Sequence, residues 1–388
     1  MILYEQRLGQ KEFQSVIKQA PRGNQKFREL PEPTGVFPYH LSLEKILSVD
    51  QMSLIENSGY LAFHVVGDTG GIVYPVPQGN VAYAMISDLN ITDKSKVPAF
   101  FYHLGDVVYY YGESAQYYPQ FYEQYKAYAS PIFAIPGNHD GDVSHQSNEP
   151  SLAAFARNFC AKTQEVTNDA GEVTRSAMIQ PNVYWTLDAP FLTIIGLYSN
   201  VPEGGEFDQK QIDWLKEELA NAPKDKAVII CVHHPAFSLD IHHSGSSTIL
   251  NTLDTSFQES GRIADIVLTA HVHNYQRFTR RLGDQQVPYI VAGAGGYWNL
   301  HHMQTDLDGN QIEVPFKIPG RKDVDLENYC DNHYGYLLMQ AGPNKLSGEY
   351  HIVSHPWESW CKKSQKIDRF DLDLQTHQLV RNTIKPHV

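Results

Sequence analysis

Three apolar runs early in the chain each stop at a glycine followed at once by Asp or Asn. LAFHVV leads into Gly67-Asp68, PAFFYHL into Gly105-Asp106, and PIFAI, through one proline, into Gly137-Asn138. Between them, VAYAMISDL and SAQYYPQFYEQYKAY have helical spacing. Strands that are apolar without alternation, separated by helices, predict a buried parallel sheet. In such sheets ligands bind beyond the carboxyl ends of the strands. The polar groups therefore stand where a site is expected.

The same arrangement continues further along. VYWTL and FLTIIGL precede a helix, DQKQIDWLKEELA; then AVIICV ends in HHP, DIVLT in AHVH, and PYIVA in GAGG. YGYLLMQA and LSGEYHIV read as a closing hairpin. Residues 141–182 read as an insertion of polar loops around one short helix, SLAAFARNFCAK, and residues 300–330 as a second insertion within an irregular stretch reaching 333. The expected organisation is an N-terminal segment, 1–57, wrapping a catalytic domain over 58–388 and belonging to it. DLDGN at 306–310 lacks calcium-loop spacing and reads as a turn.

Oxygen and imidazole donors without thiolates suit Mn, Fe, Zn or similar ions. Two ions roughly 3.5–4 Å apart need a bridging carboxylate and further ligands for each. The ordered blocks GDTG, GDVVY, GNHD, HHP and AHVH supply that number. Over about residues 60–300 they resemble the calcineurin-like metallophosphoesterases, and within these the purple acid phosphatases of the short form. GAGG at 293–296 and NHYGYL at 332–337 are similar to the closing segment of that family.

The resemblance implies an α/β fold, an α/β/β/α sandwich of two mixed sheets flanked by helices. It implies that Asp68, Asp106, Tyr109 and His273 hold one metal ion. Asp106, Asn138, His233 and His271 hold the other, with Asp106 shared. Commoner members of the superfamily have Asp-x-His in the first block; here the third position is Gly70, and the phenolate of Tyr109 fills the place. A hard phenolate donor favours iron at that position, leaving Fe, Zn or Mn for the other. His139, next to Asn138, and His242, nine residues after His233, are the implied catalytic proton donors; both, with neighbouring His243, would contact substrate. His234 is expected behind the ligands, while His301 and His302 match nothing in the pattern.

The implied reaction is hydrolysis of a phosphomonoester by a metal-bound hydroxide, with an acidic pH optimum. A phosphodiesterase or nucleotide hydrolase on the same scaffold is the nearest alternative, and a catalytically silent binding protein a more distant one. The partner is a small phosphorylated substrate. With 31 basic against 44 acidic residues and a net charge of −13, nucleic acid is not expected. Charges at Glu5, Arg7, Lys11 and Glu12 interrupt the N-terminus, and no run approaches the roughly 18 apolar residues of a membrane span. The chain as given is expected to be cytoplasmic, or secreted if its N-terminus has been altered. Among Cys160, Cys231, Cys330 and Cys361, a Cys330–Cys361 bridge is conceivable and Cys231 reads as a buried thiol.

Overall fold

The computed structural model describes residues 17–18, 26–306, 308–355, 357–358 and 363–380. Its core is a pair of mixed sheets. One has seven strands and contains Leu61–Val66, Phe101–His103 and Ile132–Ala134 as parallel neighbours. The antiparallel hairpin Gly335–Gly342 and Lys345–Ile352 joins that set through pairing with Leu61–Val66. The other sheet has nine strands, of which Leu192–Leu197, Ala227–Val232, Ile266–Thr269 and Gln285–Ala292 run parallel.

These apolar runs form strands because both of their faces are covered. Tyr102 and Phe133 from one sheet pack on Trp185 of the other, with ring centroids 5.9 and 5.6 Å apart. Tyr275 stacks on Tyr350 across the same interface at 3.8 Å. Beside them Arg277 donates two hydrogen bonds to buried Asp368, at 2.7 and 3.0 Å, while the Tyr275 hydroxyl donates a third at 2.6 Å. These three hydrogen bonds on the Asp368 carboxylate offset part of the cost of taking the charges out of water.

Helices lie on the outside. Gln209–Asn221, capped by Asp208, packs on Ser247–Ser260, capped by Ser246 and ended by left-handed Gly261. Val76–Asp88 packs beside the Gly335–Gly342 strand. No helix among the described residues is long and apolar enough to cross a membrane.

Some elements differ from the sequence expectation. The helix expected over 114–128 forms over 114–125, with one π-helical turn, Tyr118–Tyr122, between Ser114–Tyr117 and Glu123–Tyr125. Pro119 has no N–H to continue the first segment. Within the stretch expected to be irregular, Val324–Cys330 forms a strand against Tyr275–Leu282. Thr305 and Gln311, which flank 306–310, form an antiparallel bridge; Leu307 lies outside the described residues. Cys160, Cys231 and Cys330 are buried thiols, and Cys361 lies outside the described residues.

The carboxyl ends of the parallel strands in both sheets meet at one edge. There the Gly67 N–H, just after the first strand, donates to the Ala292 carbonyl of the other sheet at 2.9 Å. This seam carries the site.

Candidate metal centre

Asp68, Asp106 and His271 have φ values of 54°, 52° and 66°, in the left-handed region where non-glycine residues are uncommon. Each lies two or three residues beyond a strand end, and the turn directs its side chain into the seam. Such conformations persist where the surroundings over-determine them, and they concentrate at functional sites.

Asp68 is fully buried. Its Oδ1 accepts the Tyr109 hydroxyl at 2.9 Å and lies 3.6 Å from His273 Nε2. Its Oδ2 accepts the His271 backbone N–H at 2.7 Å. Tyr109, also fully buried, is held by the Gln120 carboxamide. That group accepts from the Tyr109 N–H at 2.9 Å and donates to its carbonyl at 2.6 Å. Gln120 comes from the π-helical turn after Pro119, so the wider winding of that turn positions the tyrosine. A Cβ at Gly70 would stand 2.7 Å from the Tyr109 ring and 2.5 Å from Gln120 Oε1. A side chain at 70 and this placement of Tyr109 exclude each other.

Asp106 lies between the two sets of donors. Its Oδ1 accepts the His139 backbone N–H at 2.9 Å, and its Oδ2 lies 3.3 Å from His233 Nε2. A Cβ at Gly137 would come 2.1 Å from Asp106 Oδ1, so only glycine leaves room for this carboxylate. Asp140 accepts N–H groups from Gly137, Val107 and Val108 at 2.8–3.2 Å, joining the second and third loops.

The three imidazoles follow one rule. His233 Nδ1 donates to the Leu104 carbonyl at 2.8 Å, and His273 Nδ1 to the Asn299 carbonyl at 3.0 Å. In both, Nε2 is left facing the carboxylates. His271 is turned the other way: its Nδ1 lies 3.1 Å from Asn138 Oδ1 and its Nε2 3.4 Å from Glu203 Oε1. Metal-binding histidines are commonly held in this manner, one nitrogen fixed and the other free.

Electrostatics fit a cation. Burial pushes the Asp68 carboxyl up to about 8, opposed by His233 and aided by Asp106. Burial works on Asp106 in the same direction, but His233 and His139 outweigh it and hold Asp106 ionised. Burial, only partly countered by Glu203, pushes His271 down to about 4, and burial also drives His273 well below its ordinary value. Neutral imidazoles offer lone pairs. Burial and the two carboxylates keep the Tyr109 hydroxyl protonated. Burial would lower the His233 pKa, but Asp106 outweighs it and raises the value to about 9; its buried Nε2, 3.3 Å from Asp106 Oδ2, makes no well-aligned hydrogen bond. Asp106, His233 and His271 present donor atoms within 4.8 Å of one another. This set of carboxylate, carboxamide, phenol and imidazole donors, with an orphaned nitrogen aimed among them, suits a pair of hard or borderline cations.

At the mouth, His139 rests its ring on Tyr109 at 4.5 Å and bonds the Tyr110 carbonyl through Nδ1 at 2.7 Å. His243 sits 4.6 Å from the His271 ring. His242 stands farther out, exposed, against His301 at 4.9 Å. His234 packs behind His271 at 4.3 Å and bonds Ser199. Three residues at the site carried no signal in the motif pattern. His301 is buried 4.3 Å from the His273 ring. Asp240 accepts the backbone N–H groups of His242 and His243, each at 2.7 Å. Glu203 lies in the loop that follows the Leu192–Leu197 strand, well past its end.

The family profile described as Calcineurin-like phosphoesterase matches residues 61–275. Purple acid phosphatase 22 of Arabidopsis thaliana is 28% identical over 121 residues, 30% of this chain and 27% of that protein. Tartrate-resistant acid phosphatase type 5 of Mus musculus is 25% identical over 319 residues, 77% of this chain and 84% of its own. Among solved structures, the purple acid phosphatase PPD1 from yellow lupin (Lupinus luteus) seeds superposes with a TM-score of 0.56 at 17% identity. That match covers 81% of this chain and 54% of the lupin chain. The chain thus spans about a third or less of the first plant relatives it matches, 27% and 35% of their lengths.

Proposed function

The chain belongs to the calcineurin-like phosphoesterase family, which uses a dinuclear metal centre, and we infer that it is an acid phosphatase acting on phosphomonoesters. The observation that carries this reading is the mutual exclusion of a side chain at Gly70 and the ring of Tyr109. It supports a first ion held by Asp68, Asp106, Tyr109 and His273, with iron favoured by the hard phenolate donor. Asp106, Asn138, His233 and His271 would hold the second, which is iron, zinc or manganese.

The chemistry supplied by cations bound there is acidification of water and neutralisation of phosphate oxygens as charge builds. The chain itself supplies orientation and protons. His139, with Nδ1 tied to the Tyr110 carbonyl, keeps Nε2 for a leaving oxygen. His243 stands beside His271 on the opposite rim, and His242 serves farther out. A positioned donor of this kind contributes about 10²–10⁴-fold. Tyr297, stacked on Tyr109 at 4.1 Å, covers the first position against water.

Turnover of phenyl phosphate and of diphenyl phosphate across a pH series tests the assignment. The monoester should be preferred, with the optimum on the acid side of neutrality; a diester preference would favour a phosphodiesterase on this scaffold. Purified protein should show a visible absorption band that Tyr109→Phe removes while the variant stays folded. A colourless wild type whose activity is unchanged by that substitution would sink the iron–phenolate reading.

A further inference from the structure

We propose that Glu203 is a positioning residue that couples the second metal position to the substrate rim by holding the His271 and His243 imidazoles on one carboxylate oxygen. This rests on the reading that His271 binds a cation. Glu203 Oε1 is 3.0 Å from His243 Nδ1 and 3.4 Å from His271 Nε2, so a single atom serves both rings. The rings lie 4.6 Å apart, and neither can turn away without leaving that oxygen.

The contrast with the other two imidazoles gives the contact its meaning. His233 and His273 are aimed by backbone carbonyls, which no side-chain substitution removes. His271 is aimed through a side chain. A proton on Nε2, directed at Glu203, leaves the Nδ1 lone pair toward Asn138, the neighbouring donor of the same metal position.

The loop that carries Glu203 is itself anchored. Gly205 donates to the Pro202 carbonyl and Glu206 to that of Ser199, both at 2.8 Å. Ser246 donates to the Gly204 carbonyl, and Ser199 bonds His234 at 2.7 Å. The glutamate is therefore presented by a fixed turn.

The test is Zn²⁺ binding to the full chain after its own metal has been removed with a chelator, followed by equilibrium dialysis at buffered free Zn²⁺. Wild type should take up two ions. Glu203→Ala should weaken one binding step by about 10–100-fold and leave the other unchanged, as expected for loss of an outer partner of one ligand. Glu203→Gln, which keeps an oxygen acceptor, should recover most of the loss. As isolated, Glu203→Ala should retain the Tyr109 absorption band, because that band belongs to the other position. If the Ala variant binds both ions like wild type, or weakens both steps equally, the coupling role is overturned while the dinuclear reading stands. If wild type itself binds fewer than two ions, the dinuclear reading falls and takes this role with it.

Discussion

Around Tyr109 the site is closed in by backbone and packed rings, whereas around His271 one wall is a half-exposed loop carboxylate. In the first half, Gly70 leaves the space, Gln120 clamps the tyrosine main chain, and Tyr297 covers the ring. In the second, Glu203 and His243 form the wall and face the mouth. The difference separates two tasks. On the proposed reading, an enclosed half would fix one ion and its electronic character, while an open half would admit substrate and so depend on side chains that can be changed one at a time. Asp106 is the group the halves share, and each substitution below is chosen to test whether they respond separately.

Asp106→Asn should have the largest effect because it breaks the comparison altogether. Both positions lose their common anion, and both ions should be missing in metal analysis. Loss of activity should exceed the roughly 10²–10³-fold typical of removing one transition-state donor. Retention of one ion at wild-type affinity would mean that Asp106 is not shared.

Gly70→Ala should come next and affect only the closed half. The new methyl would stand 2.7 Å from the Tyr109 ring and 2.5 Å from Gln120 Oε1, so the tyrosine or its clamp must move. Overpacking of this kind costs about 1–3 kcal/mol. A lowered Tm together with a lost or shifted visible band is expected, while the ion bound through His233 and His271 stays. An unchanged band would show that the cavity at Gly70 does not set the tyrosine.

The two halves also differ in how far they could be read from the residues alone. Asp68, Asp106, Asn138, His233 and His271 each follow a glycine, a proline-bounded turn or an apolar run, so strand periodicity by itself marks their positions. Gly70 and Tyr109 are complementary because one position must be empty for the other to be filled, and two such departures from a common pattern are visible in a sequence. Glu203, Asp240 and His301 have no such marker. Each acts through a loop whose local sequence, NVPEGG, SLDIHH or YWNLHH, reads as an ordinary turn, and their meeting depends on chain closure between distant segments.

The same physical reason hid two strands. Tyr275–Leu282 and Val324–Cys330 carry Arg277, Arg280, Asp325 and Glu327, and charge at that density reads as loop. In the fold Arg277 is spent on Asp368 and Arg280 on Asp254, partners far away in the chain. Polarity that is satisfied by a remote partner is indistinguishable, in sequence, from polarity that faces water. The helix through Pro119 was legible from its spacing, but the π-helical turn that brings Gln120 to the site was not.

The smallest effect should come from a residue outside both halves, and it sharpens the comparison by separating stability from metal binding. His40 joins an edge strand to a helix, bonding Asp188 through Nδ1 at 2.8 Å and Glu218 through Nε2 at 2.7 Å. Asp188 first, then Glu218, raises its pKa from 6.5 to about 10, against the downward push of burial. Because the folded value is the higher one, the stabilisation is complete below about 6.5 and is lost as pH rises through about 10. The ring is 38% exposed, so solvent screening limits the contribution to about 1 kcal/mol or less. His40→Gln should therefore lower the urea midpoint at mildly acidic pH, and the difference from wild type should shrink as the solution becomes strongly alkaline. Neither ion and no part of the visible band should change. If metal content fell along with stability, the His40 edge and the site would be a single cooperative unit, and assigning separate roles to the two halves would lose its basis.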